Sequence, residues 1–88
     1  MSKTAPKPAS KEEVLLRFGR AVYDLRTKSE LTQEELADRC GMHVTYISQI
    51  ERGLKNLSLF NIHRLTEALR ASPTDLFTGT NAHRPSDR

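Results

Sequence analysis

The chain has 88 residues, of which 36% are hydrophobic and 28% charged, a composition typical of one small globular domain. Its only cysteine, Cys40, excludes a disulfide framework and a metal site built on cysteines, and His43, His63 and His83 lie too far apart for metal-ligand spacing. No apolar run approaches the roughly 18 residues of a membrane span, and the N-terminus lacks a secretory-type apolar stretch, so we expect a cytoplasmic protein. The net charge is +3, but the first eleven residues alone contribute +3 through their three lysines, so the remaining residues sum to zero. Bulk charge therefore does not indicate a nucleic-acid binder by itself.

The two ends of the chain predict unstructured segments. Residues 1–10 contain two prolines, two serines and two lysines with little apolar surface to bury, which predicts a disordered basic arm. Residues 79–88 predict a second disordered tail. Between them, residues 11–78 form the predicted folded domain, in which the helical period dominates and no convincing strand appears.

The first two predicted helices each begin with a capping box, in which a Ser or Thr and a Glu three residues later satisfy each other's backbone N–H groups. The pairs are Ser10 with Glu13 and Thr32 with Glu35. Gly41 is expected to end the second helix, because glycine often occupies the left-handed position after a helix. The residues predicted to face the core are Leu15, Phe18, Val22 and Leu25 from the first helix and Leu36, Ala37 and Cys40 from the second.

Three more helices follow in the prediction. The third runs over about residues 44–52 and stops at Gly53, the fourth opens after Ser58, and a short fifth begins at Pro73 after the cap Ser72. The sequence thus predicts an all-α fold of five short helices. The apolar residues of their predicted inner faces are Ile47 and Ile50 in the third, Leu59, Ile62, Leu65 and Leu69 in the fourth, and Leu76 and Phe77 in the fifth.

The second and third predicted helices are too short to be stable alone in water. Gly41 between them permits a sharp turn, and two such helices joined by a short turn form a helix-turn-helix. The second helix of such a pair can enter the major groove of DNA, about 12 Å wide, while the first lies across the backbone. With Ile47 and Ile50 facing inward, the residues predicted to contact bases are Val44, Thr45, Ser48 and Gln49.

These side chains have the chemistry of groove readers. A glutamine can bond N6 and N7 of adenine together, serine and threonine suit several base edges, and valine can touch the thymine methyl group. Phosphate contacts are expected at the N-terminus of the second helix, where N–H groups and the helix dipole favour an anion, and from the polar residues around and after the third helix. The candidate backbone-contacting residues are Thr32, Gln33, His43, Tyr46, Arg52, Lys55 and Asn56.

Structural alternatives stand beside several of these roles. Thr32 can serve only its capping box, Tyr46 can pack on the helix pair instead of directing its hydroxyl at a phosphate, and His43 can cap the third helix. Cys40 is expected to be a small core residue, with a redox switch as the alternative. The arm at residues 1–10 is either a solvated tail or a basic segment that adds DNA contacts.

The runs LTQEELADRCGMHVTYISQIERG and SLFNIHRLTEAL resemble the Cro/XRE-type helix-turn-helix family of phage repressors and bacterial regulators, over about residues 13–77. Within the family, TYISQIERGLKNLSL is most similar to controller proteins of restriction–modification systems and to small stand-alone repressors. The resemblance implies a lambda-repressor-like domain that acts as a homodimer on two-fold symmetric operators and needs no cofactor.

The resemblance also assigns roles by position. It implies that Gln33 contacts phosphate, that Val44, Thr45 and Gln49 meet bases, and that Arg26 and Glu51 form a structural ion pair. This chain departs from the family at two positions. Several controllers have arginine in place of Val44, so the operator need not resemble theirs, and many relatives have proline in place of Leu57, so the loop before the fourth helix is expected to differ.

Part of the apolar surface has few places to be buried in so small a chain. Leu57, Leu59, Phe60 and Ile62 are expected to be core in part. The rest of the apolar surface on the fourth and fifth helices predicts a dimer interface. Its candidate residues are Phe60, Leu76 and Phe77.

The leading hypothesis is a sequence-specific regulator of transcription that binds duplex DNA as a homodimer in the cytoplasm, at the bacterial nucleoid, with RNA polymerase as a further candidate partner. The alternative is a protein-interaction module of antitoxin type, for which residues 79–88 are the candidate partner-binding segment, although they are poor in apolar anchors. No enzyme is expected, because no catalytic arrangement or phosphate-cradling loop is present. No small-molecule ligand is evident, and activation and repression are equally compatible with the sequence.

Overall fold

Five helices make up the part of the chain that the computed structural model describes, residues 7–77. The predicted all-α fold is confirmed over these residues. The tail at 79–88, with its candidate partner-binding segment, and the first six residues of the arm lie outside them. None of the helices is both long and apolar enough to cross a membrane. Their bounds are α1 Lys11–Lys28, α2 Gln33–Cys40, α3 Val44–Glu51, α4 Leu59–Leu69 and α5 Pro73–Phe77.

Capping hydrogen bonds between side chains and backbone N–H groups are present at the predicted starts of α1, α2 and α5. At α1, the Glu13 backbone N–H donates to Ser10 Oγ over 3.1 Å and the Ser10 N–H donates to Glu13 Oε1 over 3.0 Å. At α2, the corresponding distances between Thr32 and Glu35 are 3.0 and 2.8 Å. Both predicted capping boxes are confirmed. The same reciprocal pair joins Ser72 and Asp75 at the start of α5.

The core lies where α1 packs against α3 and α5, and where α2 packs against α3 and α4. Leu25 and Ile62 are only half-buried at its edge, and Leu15 is also half-buried. The buried apolar side chains are Phe18 and Val22 from α1, Leu36, Ala37 and Cys40 from α2, Ile47 and Ile50 from α3, Leu65, Ala68 and Leu69 from α4, and Leu76 from α5.

The start of α4 differs from the prediction. Leu59 is 82% exposed and Phe60 67% exposed, so the expected burial of Leu59 is wrong. Leu59 lies only about 20° around the helix from the buried Thr66, so it is on the inner side of α4, but at this first residue the rest of the described chain does not cover that side. Large apolar side chains therefore remain at the surface where α4 begins.

Two glycines allow the helices to meet as they do. Gly41 has φ 69° and ψ 35° and ends α2 in the left-handed conformation, as predicted, so the chain turns directly into α3. Gly19 lies on α1 facing α3, and a Cβ atom there would stand 2.3 Å from the carbonyl oxygen of Ile50. The backbones of α1 and α3 can approach this closely only because residue 19 has no side chain.

Candidate nucleic-acid interface

The exposed side of α3 carries polar residues at helical spacing. Thr45 and Arg52 are exposed, and Ser48 and Gln49 are half-buried, while Ile47 and Ile50 on the opposite side are fully buried. Spacings of three and four place the four polar residues on one face. We call Thr45, Ser48 and Gln49, together with Arg52 at the C-cap just after the helix, the outer face of α3. It contains three of the four predicted base-contacting residues.

Val44, the fourth predicted base contact, lies one helical turn before Ser48, at the edge of this face. It is half-buried and packs against the core. Its accessible part lines a groove between α2 and α3, together with Glu34 and Asp38. The two carboxylates give this groove a negative potential, which disfavours the phosphate backbone of DNA. The role of Val44 in contacting bases stays a prediction.

A buried ion pair fixes one side of α3. Arg26 Nε donates to Glu51 Oε2 over 2.6 Å and Nη2 donates to Oε1 over 3.0 Å, and the two side chains are only 11% and 5% exposed. The predicted pair is confirmed, and its geometry is bidentate. The hydrogen bond that Arg26 donates to Glu51 and the negative charge of that carboxylate raise the pKa of Arg26 against the opposing effect of burial.

Two further hydrogen bonds extend this ion pair to α2. Arg26 Nη1 donates to the carbonyl oxygen of Leu31 over 2.8 Å, just before α2 begins. Gln33 Nε2, in the first residue of α2, donates to Glu51 Oε1 over 3.0 Å. We call Arg26, Gln33 and Glu51 the Glu51 flank of α3. It ties α1, α2 and α3 together.

These contacts bear on the expected phosphate site at the start of α2. The Thr32 hydroxyl and backbone N–H both bond Glu35, so capping accounts for Thr32. The first turn also carries the carboxylates of Glu34 and Glu35, which oppose an anion. The Gln33 amide keeps one N–H beyond the bond to Glu51, since Nε2 has two. Gln33 therefore stays a predicted phosphate contact, with its side chain held in place.

A different set of contacts holds the opposite side of α3. Asn61 Nδ2 donates to the Tyr46 hydroxyl oxygen over 3.4 Å, and Arg64 Nη1 donates to Asn61 Oδ1 over 3.2 Å. Arg64 Nη2 donates to the carbonyl oxygen of Gly41 over 2.7 Å, at the turn between α2 and α3. We call Tyr46, Asn61, Arg64 and Gly41 the Tyr46 flank. No sequence pattern predicts this set of contacts, because its residues are distant along the chain.

The remaining candidate phosphate contacts surround α3. His43 is exposed and occupies the N-cap position without a side-chain capping hydrogen bond, so the capping alternative is wrong. Lys55 Nζ lies 6.0 Å from the centroid of the Tyr46 ring. Tyr46 is half-buried and packs against the core, which was the structural alternative to a phosphate contact. Its hydroxyl contacts Asn61. Arg52 and Asn56 are exposed.

The predicted dimer residues have different environments. Phe60 is exposed, with the Arg64 guanidinium carbon 5.4 Å from its ring centroid. Phe77 is 37% exposed, and its ring centroid lies 5.2 Å from that of Phe18. Leu76 is 0% exposed, so its assignment to a dimer surface is wrong, because it is a core residue of this chain. Leu59, which the prediction placed in the core, is exposed beside Phe60.

Cys40 has the environment of a core residue. It is 5% exposed, and burial raises the pKa of its thiol, while the positive charge of Arg64 acts in the opposite direction. Within residues 7–77, no group of three or more His, Cys, Asp or Glu side chains could hold a metal ion.

Comparison with known proteins gives consistent matches. The helix-turn-helix family model HTH_3 matches residues 22–76. Control protein C.BamHI of Bacillus amyloliquefaciens is 47% identical over 68 residues, which cover 76% of this chain and 84% of that protein. Controller protein C.AhdI from Aeromonas hydrophila is 43% identical, and its crystal structure matches with a TM-score of 0.70. The match covers 72% of this chain and 96% of the C.AhdI chain. The controller protein C.Esp1396I, crystallised as a tetramer with its natural 35-base-pair operator, is 28% identical and matches with a TM-score of 0.69. This match covers 76% of this chain and 88% of the C.Esp1396I chain.

Proposed function

This chain belongs to the HTH_3 family of helix-turn-helix proteins and is a DNA-binding regulator of transcription, and we propose that it acts as a homodimer on a two-fold symmetric operator, as a controller of restriction–modification type. The observation that carries the proposal is the outer face of α3. It presents Thr45, Ser48 and Gln49 toward solvent from a helix whose other side is buried and whose two flanks are both held by hydrogen bonds.

The outer face has the size and chemistry that major-groove reading requires. A single helix fits the groove, and amide and hydroxyl groups read base edges there. Arg52, Lys55 and Asn56 follow α3 directly and suit contacts to the flanking phosphates. Because these contacts position the helix without reading sequence, we assign specificity to Thr45 and Gln49 and most of the general affinity to the residues after α3.

Dimerisation is proposed from the exposed apolar residues at the start of α4 and the end of α5. Leu59, Phe60 and Phe77 all keep a large part of their side chains accessible, and a second copy of the chain would cover them through a self-complementary two-fold contact. In such a dimer the two copies of α3 should enter major grooves about 34 Å apart, one helical turn, or a multiple of that distance. C.Esp1396I binds its operator as a tetramer, an assembly that two dimers can form.

The first test selects bound sequences from a random duplex pool at about physiological salt. The protein should enrich a motif with two-fold symmetry, and the double variant Thr45→Ala, Gln49→Ala should lose that enrichment, because each good base contact contributes about 1–3 kcal/mol of discrimination. His63→Ala, on the exposed side of α4, is the control and should enrich the same motif. Enrichment of an identical motif by the double variant would contradict reading through the outer face of α3.

A second test separates phosphate contact from base reading. Lys55→Gln should weaken binding to all sequences alike and lower the slope of log K against log salt by about one, since one fewer counterion is released. Binding isotherms at several salt concentrations measure the slope. Unchanged slope with altered base preference would assign Lys55 a different role.

The dimer has its own test. Sedimentation should give a dimer for the native protein, and the double variant Leu59→Ser, Phe60→Ser should give a folded monomer, since it removes exposed rather than core side chains. The control is again His63→Ala, which leaves the apolar surface intact. A native protein that remains monomeric at micromolar concentration, or a double variant that remains dimeric, would count against this surface.

A further inference from the structure

The Tyr46 flank has a fixed hydrogen-bond direction. Arg64 is the starting point, because a guanidinium has only N–H donors. The atom of the Asn61 amide that faces it at 3.2 Å must therefore be the oxygen Oδ1. This orients the other end of the amide, Nδ2, toward the Tyr46 hydroxyl at 3.4 Å. Since Nδ2 can only donate, the Tyr46 oxygen must accept.

The direction has a consequence for the tyrosine hydroxyl. A hydroxyl has one proton to donate and two lone pairs, and the contact with Asn61 uses a lone pair. The Tyr46 proton is therefore available to an acceptor outside this contact. Arg64 also fixes the position of Asn61 and Tyr46 relative to the helix-turn-helix, because its Nη2 donates a hydrogen bond to the Gly41 carbonyl oxygen over 2.7 Å.

The surroundings indicate which acceptor the proton meets. Tyr46 is adjacent to Thr45 of the outer face, and the Lys55 ammonium lies 6.0 Å from the tyrosine ring centroid. A neutral donor and a cation at the edge of a base-reading helix together suit a negatively charged oxygen, as in a DNA phosphate. We infer that Asn61 and Arg64 are positioning residues that set the Tyr46 hydroxyl as a hydrogen-bond donor to a phosphate oxygen beside the outer face of α3. This inference rests on the proposed function.

The substitution Asn61→Asp tests the direction of the hydrogen bond. The carboxylate keeps the shape of the amide and its bond from Arg64, but it has no N–H, so the Tyr46 hydroxyl must donate inward and its proton is lost to DNA. Operator affinity should fall on the order of tenfold. The added negative charge also repels DNA, so the same substitution is made in a Tyr46→Phe background, where only the charge effect remains. Both proteins are checked for folding by thermal unfolding.

The four proteins form a double-mutant cycle, with affinity for the selected operator as the readout. Asn61→Asp should cost several times more affinity in the native background than in Tyr46→Phe. An equal cost in both backgrounds would overturn the inference, because the effect would then be one of charge alone. Tyr46→Phe should weaken binding equally to operators that differ by single base pairs near Tyr46. A loss that disappears when one base pair is changed would overturn the phosphate assignment in favour of a base edge.

The cycle also separates this inference from the proposed function. A native protein that enriches no motif and binds every duplex alike fails the proposed function, whatever the cycle gives. A native protein that binds its operator while the cycle is additive retains the proposed function and loses only the role of Asn61 and Arg64.

Discussion

The two flanks of α3 are held by different chemistry. The Glu51 flank is charged, short and nearly inaccessible, with a 2.6 Å contact between Arg26 and Glu51. The Tyr46 flank contains no ion pair: its hydrogen bonds, of 2.7 to 3.4 Å, join the half-buried side chains of Tyr46, Asn61 and Arg64 and the exposed carbonyl group of Gly41. Burial makes the first flank costly to break, whereas water can replace lost partners at the second. The comparison indicates that the Glu51 flank fixes the angle of α3, and it is consistent with the proposal that the Tyr46 flank presents a hydrogen-bond donor to DNA.

The largest expected effect comes from breaking the Glu51 flank. Glu51→Ala leaves the Arg26 guanidinium buried without its partner and frees the Gln33 amide, so the free energy of unfolding should fall by about 3–5 kcal/mol. Urea denaturation at fixed salt measures the change. The double variant Arg26→Leu, Glu51→Leu is the matched control and should recover much of the loss, because it leaves no unpaired buried charge. A loss below about 1 kcal/mol for Glu51→Ala would show that water reaches the pair.

The next largest effect concerns the backbone contact beside this flank. In Gly19→Ala the new Cβ would stand 2.3 Å from the Ile50 carbonyl oxygen, and backbone atoms must move to relieve the clash. The expected loss is about 1–3 kcal/mol or more, although alanine is the better helix former. Denaturation of Gly19→Ala and of Ala21→Gly, which tests helix propensity nearby on α1, separates the two effects. A stabilised Gly19→Ala would mean that α1 and α3 do not approach this closely.

The sequence reveals those features whose signals are local. Ser10 with Glu13 and Thr32 with Glu35 mark helix starts within four residues, and Gly41 marks the turn, so the helix-turn-helix is readable without a structure. The contact of Gly19 with Ile50 and the hydrogen bond from Asn61 to Tyr46 are not readable, because each depends on how two helices pack. The Arg26–Glu51 pair came from family resemblance rather than from spacing.

The errors have the same origin. Leu59 and Leu76 both follow the apolar period of a helix, yet Leu59 is exposed and Leu76 is fully buried. A periodic pattern gives the side of a helix that is apolar, but which turn of that side meets another element depends on tertiary packing. The prediction therefore placed Leu59 on an inner face, where it is exposed, and gave Leu76 both an inner position in the fifth helix and a place in the dimer surface, of which only the first is correct.

A smaller effect is expected when the Tyr46 flank is broken. Arg64→Met keeps the aliphatic stem but removes the bonds to Gly41 and Asn61. The Gly41 bond is exposed, so water can replace the guanidinium, and the expected loss of unfolding free energy is only about 0.5–1.5 kcal/mol. The same urea series measures it. A loss comparable to that of Glu51→Ala would contradict the distinction between the two flanks.

The smallest effect provides the baseline for the comparison. Arg20 and Asp24 form an ion pair on α1 with a distance of 3.1 Å, close to the 3.0 Å of the longer of the two Arg26–Glu51 contacts, but their side chains are 75% and 60% exposed. If burial rather than distance makes the Glu51 flank costly to break, Asp24→Ala should change the free energy of unfolding by less than about 0.5 kcal/mol, and added salt should reduce even that change. Denaturation at low and high salt measures both quantities. A loss approaching that of Glu51→Ala would mean that the pairing of charge, whether or not the pair is buried, determines how much an ion pair contributes to the free energy of unfolding.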